Sequence, residues 1–354
     1  MTPPVPPGRH TFVCLDGHTA GNPVRLVIAG APSLHGATMS ARRADFIQNW
    51  DWVRRALMWE PRGHDLMSGA ILYPALDESH DAALLFIEVD GCLPMCGHVT
   101  IGVVTFLIEK GLVAPREPGR LVLATPAGLI SATYREEGGR VREVRFVNVP
   151  SYLAAAEVKL DVPGLGELVV DIAYGGNFYA IVEPQKNYAG LDQLSPEEIL
   201  RLSPLVRRAA RAALTPVHPE DPTISGVTHV MWTGAPRHPR AQGRNAVFYG
   251  ERAIDRSPCG TGTSARLAQL AAKGRLRPGE AFIHESLIGT LFAARIEEEL
   301  RLGPYPAIRP SVAGSAHLFG FNTLFVDPAD PLGGGFSLWE PGGLPASPAG
   351  GGAA

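Results

Sequence analysis

Two stretches of the sequence follow one pattern, and they decide the fold. The first is Pro94-Met-Cys-Gly-His-Val-Thr-Ile-Gly-Val-Val-Thr-Phe-Leu-Ile-Glu-Lys-Gly111, and the second is Pro258-Cys-Gly-Thr-Gly-Thr-Ser-Ala-Arg-Leu-Ala-Gln-Leu-Ala-Ala-Lys-Gly274. Counted from Cys96 and from Cys259, a glycine follows at once, a threonine stands at the fourth position, and a Lys-Gly pair stands at the fourteenth and fifteenth. A repeat of this kind indicates two versions of one structural unit in a single chain.

Each stretch is predicted to be a buried helix that begins at its cysteine. A proline stands before the start, small polar residues fill the first turn, a lysine closes the last turn and a glycine follows it, which is the usual punctuation of a helix. The first helix is apolar almost all round and the second is rich in alanine and leucine, which favours helices covered by sheet. We therefore predict two pseudo-symmetric halves, each with a curved, mostly antiparallel sheet around a central helix.

The rest of the chain fits this mixed α/β (α+β) plan. The 354 residues suggest about two domains, and 40 glycines with 32 prolines favour many short elements joined by tight turns. Residues 41–58 and 196–213 have the apolar spacing of surface helices. Stretches typical of β-strands recur at residues 83–89, 120–124, 144–149, 168–173, 179–182 and 245–249.

The predicted domain boundaries follow from the two helices. Residues 8–140 together with 315–341 are expected to form the half that contains Cys96. Residues 141–314 are expected to form the half that contains Cys259, since each half needs its own sheet around its own helix. Residues 1–7 are rich in proline and residues 342–354 in Gly, Pro and Ala, which predicts flexible tails.

Composition and charge exclude several classes of partner. The formal net charge of −3 lacks the basic excess of a nucleic-acid-binding protein. The apolar run at residues 103–108, interrupted only by Thr105, is far shorter than the ~20 residues of a membrane span. The first residues are prolines rather than the basic and apolar run of a secretory signal, so we expect a cytoplasmic protein. Four cysteines are too few for a disulfide framework, and reduced thiols are expected.

The position of the two cysteines suggests acid–base chemistry. A thiol at a helix N-terminus lies near a positive partial charge and unpaired N–H groups, which we expect to lower its pKa from about 8.5 toward neutrality. If the two halves face each other, Cys96 and Cys259 approach one carbon from opposite sides. One could remove a proton from a carbon next to a carboxylate while the other returns a proton on the opposite face.

The carboxylate of such a substrate needs its own binding groups. Negative charge builds up on it when the α-proton leaves, and backbone N–H groups at a helix start are suited to bind that charge. The groups expected to do so follow the two cysteines: Gly97 and His98 in one half, Gly260 and Thr261 in the other. With them in place the reaction needs neither a metal nor an organic cofactor.

At these residues the sequence resembles the proline racemase family, and most closely its 4-hydroxyproline 2-epimerase members. The resemblance extends over nearly the whole body of the chain. It is carried by Met95-Cys-Gly-His98, Thr100-Ile-Gly102, Asp255-Arg-Ser-Pro-Cys-Gly-Thr-Gly-Thr-Ser-Ala265, His18-Thr19 with Gly21, Thr125-Pro-Ala-Gly128, Asn148-Val-Pro-Ser-Tyr152, Gly175-Gly-Asn-Phe-Tyr179 and His284-Glu-Ser286.

The resemblance implies a cofactor-independent epimerase with the fold of diaminopimelate epimerase. Its expected substrate is a free imino acid, trans-4-hydroxy-L-proline interconverting with cis-4-hydroxy-D-proline, with proline as the alternative. Cys96 and Cys259 fall on the family's catalytic positions, and Asp255 falls where the family holds the ring nitrogen. The carboxylate-binding positions of the family coincide with Gly97, His98, Gly260 and Thr261. A homodimer is compatible with the sequence, which does not set the oligomeric state.

Several alternatives stay open at the level of sequence. His98 could act through its imidazole instead of its backbone N–H, and Asp255 could merely cap the turn before Pro258. Related dehydratases carry threonine at the second cysteine, so Cys259 argues against dehydration. Val99 stands where many relatives have glycine and is expected to narrow the pocket wall. The remaining alternatives concern other functions. Cys92 and Cys96 could form an iron–sulfur or redox site, residues 260–265 match a dinucleotide fingerprint, and pyridoxal phosphate could serve as cofactor. The protein could also be a non-catalytic anion-binding protein of the same fold.

Overall fold

A computed structural model of the chain describes residues 5–339. The predicted flexible tails, residues 1–7 and 342–354, lie outside the described residues except for residues 5–7. Over the described range the chain forms 17 strands, five α-helices and one short 3-10 helix, Leu191–Gln193. Strands dominate, as the many glycines and prolines predict.

The first part of the chain supplies seven strands and three helices. Their bounds are β1 (His10–Thr19), β2 (Asn22–Ala29), α1 (Met39–Asn49), α2 (Asp51–Met58), β3 (Ser68–Pro74), β4 (Ala82–Glu88), α3 (Gly97–Glu109), β5 (Arg120–Thr125), β6 (Gly128–Glu137) and β7 (Arg140–Val147).

The second part supplies ten strands and two helices. Their bounds are β8 (Ser151–Val162), β9 (Gly166–Tyr174), β10 (Phe178–Val182), α4 (Pro196–Ala213), β11 (His229–Gly234), β12 (Gly243–Tyr249), β13 (Ala253–Ile254), α5 (Gly260–Ala272), β14 (Ala281–Glu285), β15 (Leu291–Leu302), β16 (Tyr305–Gly314) and β17 (Ala316–Val326).

The order of strand pairing repeats between the two parts. From β1 to β7, neighbouring strands pair antiparallel, parallel, antiparallel, parallel, antiparallel and antiparallel. The second part repeats that order along the series β9, β10, β11, β12, β14, β15 and β16. The short β13 pairs with β12. An outer strand completes each series, because β17 pairs with β1 as β8 pairs with β9. The two helices of the sequence repeat therefore belong to two copies of a much larger unit.

One strand joins the two copies. β16 pairs with β7 through Ser311–Gly314 and with β8 through Ala307 and Ile308. The pairing with β8 closes the second series into a ring of eight strands, while the pairing with β7 makes all 17 strands one continuous sheet. The halves are thus connected by hydrogen bonds as well as by the chain itself.

A buried helix occupies the centre of each half. α3 packs against β1, β2, β7 and β17, and α5 packs against β8, β9, β15 and β16. Every residue from Gly97 to Leu107 is buried in α3, and every residue from Gly260 to Leu270 is buried in α5. The prediction of two halves that each wrap a sheet around a central helix is confirmed. A helix that is apolar almost all round, as α3 is, needs such a cover, since it has no side to present to water.

The surface helices match their prediction in one case and differ in the other. Residues 196–213 form the single helix α4, which Ser195 caps by accepting a hydrogen bond from Glu198. Residues 41–58 lie in two helices that are separated at Trp50, whose φ of −130° is not helical. The break has a physical reason: α1 buries little, whereas α2 buries six of its eight residues against the sheet. No helix within residues 5–339 is both long and apolar enough to span a membrane.

Strand pairing suggests where the halves divide. β7 lies between β6 and β16 and completes the first series of pairings, so it belongs with the first half rather than starting the second at residue 141. We propose a division at residues 148–150 and at residue 315, which assigns β17 to the first half. This keeps one complete pairing series and one central helix in each half.

Candidate active site

The starts of α3 and α5 meet at a small cavity between the two halves. The structure brings all seven predicted site residues to its wall: Cys96, Gly97, His98, Asp255, Cys259, Gly260 and Thr261. They come from two segments that lie far apart in sequence and are adjacent only because the halves face each other. Their arrangement around one cavity is a result of the fold; their chemical roles are taken up below as a proposal.

Glycine is required where the two helices touch. A Cβ atom built on Gly97 would lie 2.6 Å from Cα of Gly260, and one built on Gly260 would lie 2.7 Å from Cα of Gly97. Side chains do not tolerate such distances, so each helix start approaches the other through bare backbone. This contact explains the glycine that follows each cysteine, and both thiols line the cavity beside it.

The cysteine of the first half lies beside two titratable side chains. Sγ of Cys96 is 3.4 Å from Nδ1 of His98, and the thiol also forms a hydrogen bond with the Glu88 carboxyl group. Glu88 ends β4 and is almost completely buried. Burial, and the nearby charge of Asp90, raise the pKa of Glu88 to about 8, so below that pH it is a neutral carboxylic acid.

The cysteine of the second half lies beside one carboxyl group and two hydroxyl groups, and its thiol forms a hydrogen bond with the Asp255 carboxyl group. The Tyr179 hydroxyl is 3.3 Å from Sγ of Cys259 and 2.6 Å from Oγ1 of Thr261. The backbone N–H of Gly262 donates to the same sulfur at 3.3 Å. Cys259 itself has a φ of 64°, in the left-handed region that non-glycine residues rarely adopt. This strained backbone aims the thiol back toward the cavity and the first turn of α5.

Burial raises the pKa of both thiols, contrary to the sequence prediction. For Cys96 the second cause is the charge of Glu88, and for Cys259 it is the charge of Asp255. Backbone N–H groups at Val99 and Gly262 act in the predicted direction but have a smaller effect. The prediction considered only the helix terminus and was wrong, because it left out the cost of placing a thiolate away from water.

The helix starts leave four donors for an anion. Within the described part of the chain, the backbone N–H groups of Gly97, His98, Gly260 and Thr261 have no hydrogen-bond acceptor. Buried N–H groups are seldom left without a partner, and at a helix N-terminus they favour a carboxylate or phosphate. These four donors lie beside the two thiols and are suited to bind an anion.

Asp255 caps a turn and also faces the cavity. Its Oδ1 atom accepts hydrogen bonds from the backbone and the hydroxyl of Ser257, both at 2.8 Å, so it does cap the turn before α5. It also lines the cavity and is buried. Burial raises the pKa of Asp255, and a nearby positive charge on His98 would lower it. A cationic ligand in the cavity would stabilise its ionised form in the same way.

Sequence reasoning missed several residues of the cavity wall. Tyr179 was quoted only as part of a family motif, and Glu88, His229 and Tyr249 were not singled out. Glu88, Tyr179 and Tyr249 lie in predicted strands, which does not distinguish a cavity from a core, and no predicted element covers His229. Burial lowers the pKa of His229 to about 3, so its ring is neutral. Val99 is not on this wall but in the hydrophobic core, so it does not narrow the pocket as predicted.

The four cysteines remain free thiols. Cys14 and Cys92 are buried away from the cavity, and none of the four is paired. Within residues 5–339, no group of three or more His, Cys, Asp or Glu side chains is arranged to hold a metal ion. The site therefore has to be understood from the thiols and their neighbours.

The chain belongs to the proline racemase family. The family model described as "Proline racemase" matches residues 14–337, so the resemblance read from the two cysteine motifs is confirmed. Membership places the protein among isomerases and confirms the prediction of an enzyme. It also confirms the fold class, which the repeated pairing order had already defined.

Individual relatives make the comparison more specific. A protein of Brucella ovis named 4-hydroxyproline epimerase is 56% identical over 330 residues, which cover 93% of this chain and 99% of the relative. A crystal structure of a hydroxyproline epimerase from Agrobacterium vitis with bound trans-4-hydroxy-L-proline superposes with a TM-score of 0.87 at 31% identity, covering 94% of this chain and 97% of that one. A probable proline racemase from Agrobacterium radiobacter K84 with bound carbonate has a TM-score of 0.86 at 33% identity, covering 92% and 96%.

Proposed function

We propose that this protein is a 4-hydroxyproline 2-epimerase that interconverts trans-4-hydroxy-L-proline and cis-4-hydroxy-D-proline. The observation that carries the proposal is the pair of thiols, Cys96 and Cys259, which face one cavity from opposite halves with unpaired N–H donors beside each. This arrangement matches the needs of inversion at a carbon next to a carboxylate. The relatives support the choice of substrate, because the Brucella protein is named for 4-hydroxyproline and the Agrobacterium vitis structure holds it.

The proposed reaction uses one cysteine as base and the other as acid. Starting from the L-form, the Cys96 thiolate removes the α-proton and the C–H electron pair remains as a planar carbanion next to the carboxylate. The Cys259 thiol then gives its proton to the opposite face of that carbon. The protein is left with a Cys96 thiol and a Cys259 thiolate, which is the form required for the reverse reaction. No other reactant is consumed.

The same cavity provides for the two charges of the substrate. The carboxylate would accept hydrogen bonds from Gly97, His98, Gly260 and Thr261, which stabilise it most when the carbanion adds negative charge. The ring ammonium would pair with Asp255. Its positive charge would also favour the thiolate form of a nearby cysteine, offsetting the burial that raises the pKa of both thiols.

Proton exchange at Cα tests the proposal directly. In heavy water, NMR should show loss of the α-proton signal of 4-hydroxyproline together with appearance of the second epimer. Proline is measured in parallel, since proline racemase is the second candidate and the Agrobacterium radiobacter relative bears that description. Exchange with neither compound would refute the proposal, and faster turnover of proline would assign the protein to proline instead.

Alkylation separates the enzyme from a non-catalytic imino-acid-binding protein of the same fold. Iodoacetamide should modify Cys96 or Cys259 and abolish activity, and pyrrole-2-carboxylate should protect them because its planar ring mimics the carbanion. A protein that only binds the anion needs N–H groups but no reactive thiols. It would retain its ligand affinity after both cysteines are replaced.

Three further features belong to the proposal. We propose that the reaction proceeds without metal or organic cofactor, because two acid–base groups and four N–H donors suffice for it. A location in the cytoplasm and assembly as a homodimer remain predictions. Size-exclusion chromatography with light scattering would measure the second.

A further inference from the structure

Asn22, the first residue of β2, links the second half of the molecule to the ring of His98. Its Oδ1 atom accepts a hydrogen bond from the backbone N–H of Arg256 at 3.0 Å. Its Nδ2 atom lies 3.0 Å from Nε2 of His98. Asn22 and His98 belong to the first half by strand pairing, whereas Arg256 stands between β13 and α5 in the second. The contact with Arg256 therefore exists only while the two halves are together.

The chemistry of these groups fixes the direction of each hydrogen bond. A backbone N–H can only donate, so the atom of Asn22 that faces Arg256 must be the carbonyl oxygen. The amide nitrogen then faces His98, and it too can only donate. Nε2 of His98 is thereby the acceptor. Because burial lowers the pKa of His98, the ring is neutral and carries its single proton on Nδ1, the atom 3.4 Å from Sγ of Cys96.

A second acceptor lies beside the ring. The backbone carbonyl of Pro23 is near His98 and would accept a hydrogen bond from it. That carbonyl belongs to the same half as His98, so it stays near the ring whether or not the halves are closed. If the second half moves away, Asn22 loses its Arg256 partner and its amide can rotate. Asn22 then no longer fixes which nitrogen of His98 carries the proton.

We propose that Asn22 is a positioning residue that couples closure of the cavity to the tautomer of His98, so that the ring N–H is held toward Cys96 when the two halves are together. The inference rests on the proposed function, which makes Cys96 an acid–base group. An N–H that points at sulfur stabilises the thiolate. The opposite tautomer would place a lone pair against the sulfur and favour the thiol. Asn22 thus prepares the base at the moment when the substrate is enclosed.

The ¹⁵N resonances of His98 report the tautomer directly, because a protonated ring nitrogen resonates well upfield of a bare one. The protein is labelled with ¹⁵N-histidine and closed with pyrrole-2-carboxylate, and the His98 signals are assigned by their loss in His98→Asn. The wild type should show a protonated Nδ1 and a bare Nε2. Asn22→Asp keeps an acceptor for Arg256 but offers only acceptors to His98, so Nε2 should become protonated.

The rate of turnover should change together with the tautomer of His98. We expect Asn22→Asp to lower kcat by about tenfold or more, the value of one hydrogen bond to a charged group, with KM changed by less than about threefold. Arg256→Ala is the matched control, because it removes the side chain and keeps the backbone N–H that Asn22 needs. Its His98 signals should match the wild type.

Two results would overturn the inference. One is a wild-type complex in which Nε2 of His98 carries the proton, a measurement that needs no variant to fold. The other is an Asn22→Asp protein that folds and keeps both the tautomer and kcat of the wild type. Either can occur in an active epimerase, in which case the proposed function stands. Absence of α-proton exchange in the wild type would refute the function and leave the tautomer assignment intact.

Discussion

The two cysteines occupy the same place in the two halves and have different neighbours. Both stand at the N-terminus of a central helix, followed by a glycine in contact with the other helix. Each thiol forms a hydrogen bond with a carboxyl group, Glu88 at Cys96 and Asp255 at Cys259. The other neighbours differ: a histidine ring lies beside Cys96, whereas a phenol and a threonine hydroxyl lie beside Cys259. The comparison shows that the duplicated backbone sets the positions of the thiols, and that the side chains around each thiol set its acidity separately.

The largest expected effect comes from removing either thiol. Cys96→Ser and Cys259→Ser should each lower kcat/KM for 4-hydroxyproline by about 10³-fold or more, because general acid–base groups contribute factors of this size. Polarimetry or chiral chromatography measures the rate in both directions. Cys14→Ala is the control, since Cys14 is buried in β1 and does not line the cavity. An active Cys96→Ser or Cys259→Ser protein would contradict the two-base scheme.

A smaller effect should be confined to the second half. Tyr179→Phe removes the hydroxyl that contacts both Cys259 and Thr261, and we expect kcat/KM to fall by about tenfold, the loss of one hydrogen bond to a charged sulfur. The hydrogen bond from Tyr179 lowers the pKa of Cys259. In the variant, iodoacetamide should therefore modify Cys259 only at higher pH, with Cys96 unchanged.

The control for this change is another buried tyrosine of the same half. Tyr188→Phe removes a hydroxyl that donates to the Thr233 carbonyl, away from the cavity. It should alter neither kcat/KM nor the alkylation of Cys259. Equal shifts at both cysteines in Tyr179→Phe would show that the two environments are not independent.

The smallest effect should be a change in pH dependence that originates in the first half. Glu88 has a raised pKa of about 8, so it is neutral below that pH and becomes a carboxylate as the pH rises through it. The new charge raises the pKa of Cys96 and should lower kcat/KM by less than about tenfold above pH 8. Glu88→Gln stays neutral, so this decline should disappear from its profile of kcat/KM against pH.

A buried carboxylate outside the cavity provides the control. Glu285→Gln changes a side chain that accepts hydrogen bonds from the backbone of Arg237 and His238 and does not contact either cysteine. Its profile should keep the decline near pH 8. A Glu88→Gln profile that also keeps it would assign the decline to another group.

Much of the fold was predictable from local signals. The repeated Cys-Gly motif with its Lys-Gly end defined two helices, and the structure places both where they were expected. Residues 196–213 form one helix as predicted, and each of the six predicted strand stretches corresponds to an observed strand. These elements are specified by their own residues, through capping, turns and apolar spacing.

What could not be predicted depends on contacts between distant segments. The role of β16 in both halves is set by pairing with β7 and β8, and no local pattern encodes it. In the sequence Asn22 cannot be distinguished from an ordinary turn residue, because its contact with Arg256 exists only in the folded structure. The pKa prediction for the cysteines failed for a related reason: a helix terminus is visible in sequence, whereas the depth at which the fold buries it is not.

The repeated pairing order has a consequence for how such a site can change. Two identical half-length chains arranged around a twofold axis could bring two cysteines to one cavity, but every substitution would then occur on both sides at once. A single fused polypeptide removes that constraint. Mutation can change the proton affinity of one sulfur without changing that of the other. A stereochemically symmetric reaction can therefore be catalysed by an asymmetric pair of cysteines, such as the one with Glu88 on one side and Tyr179 on the other.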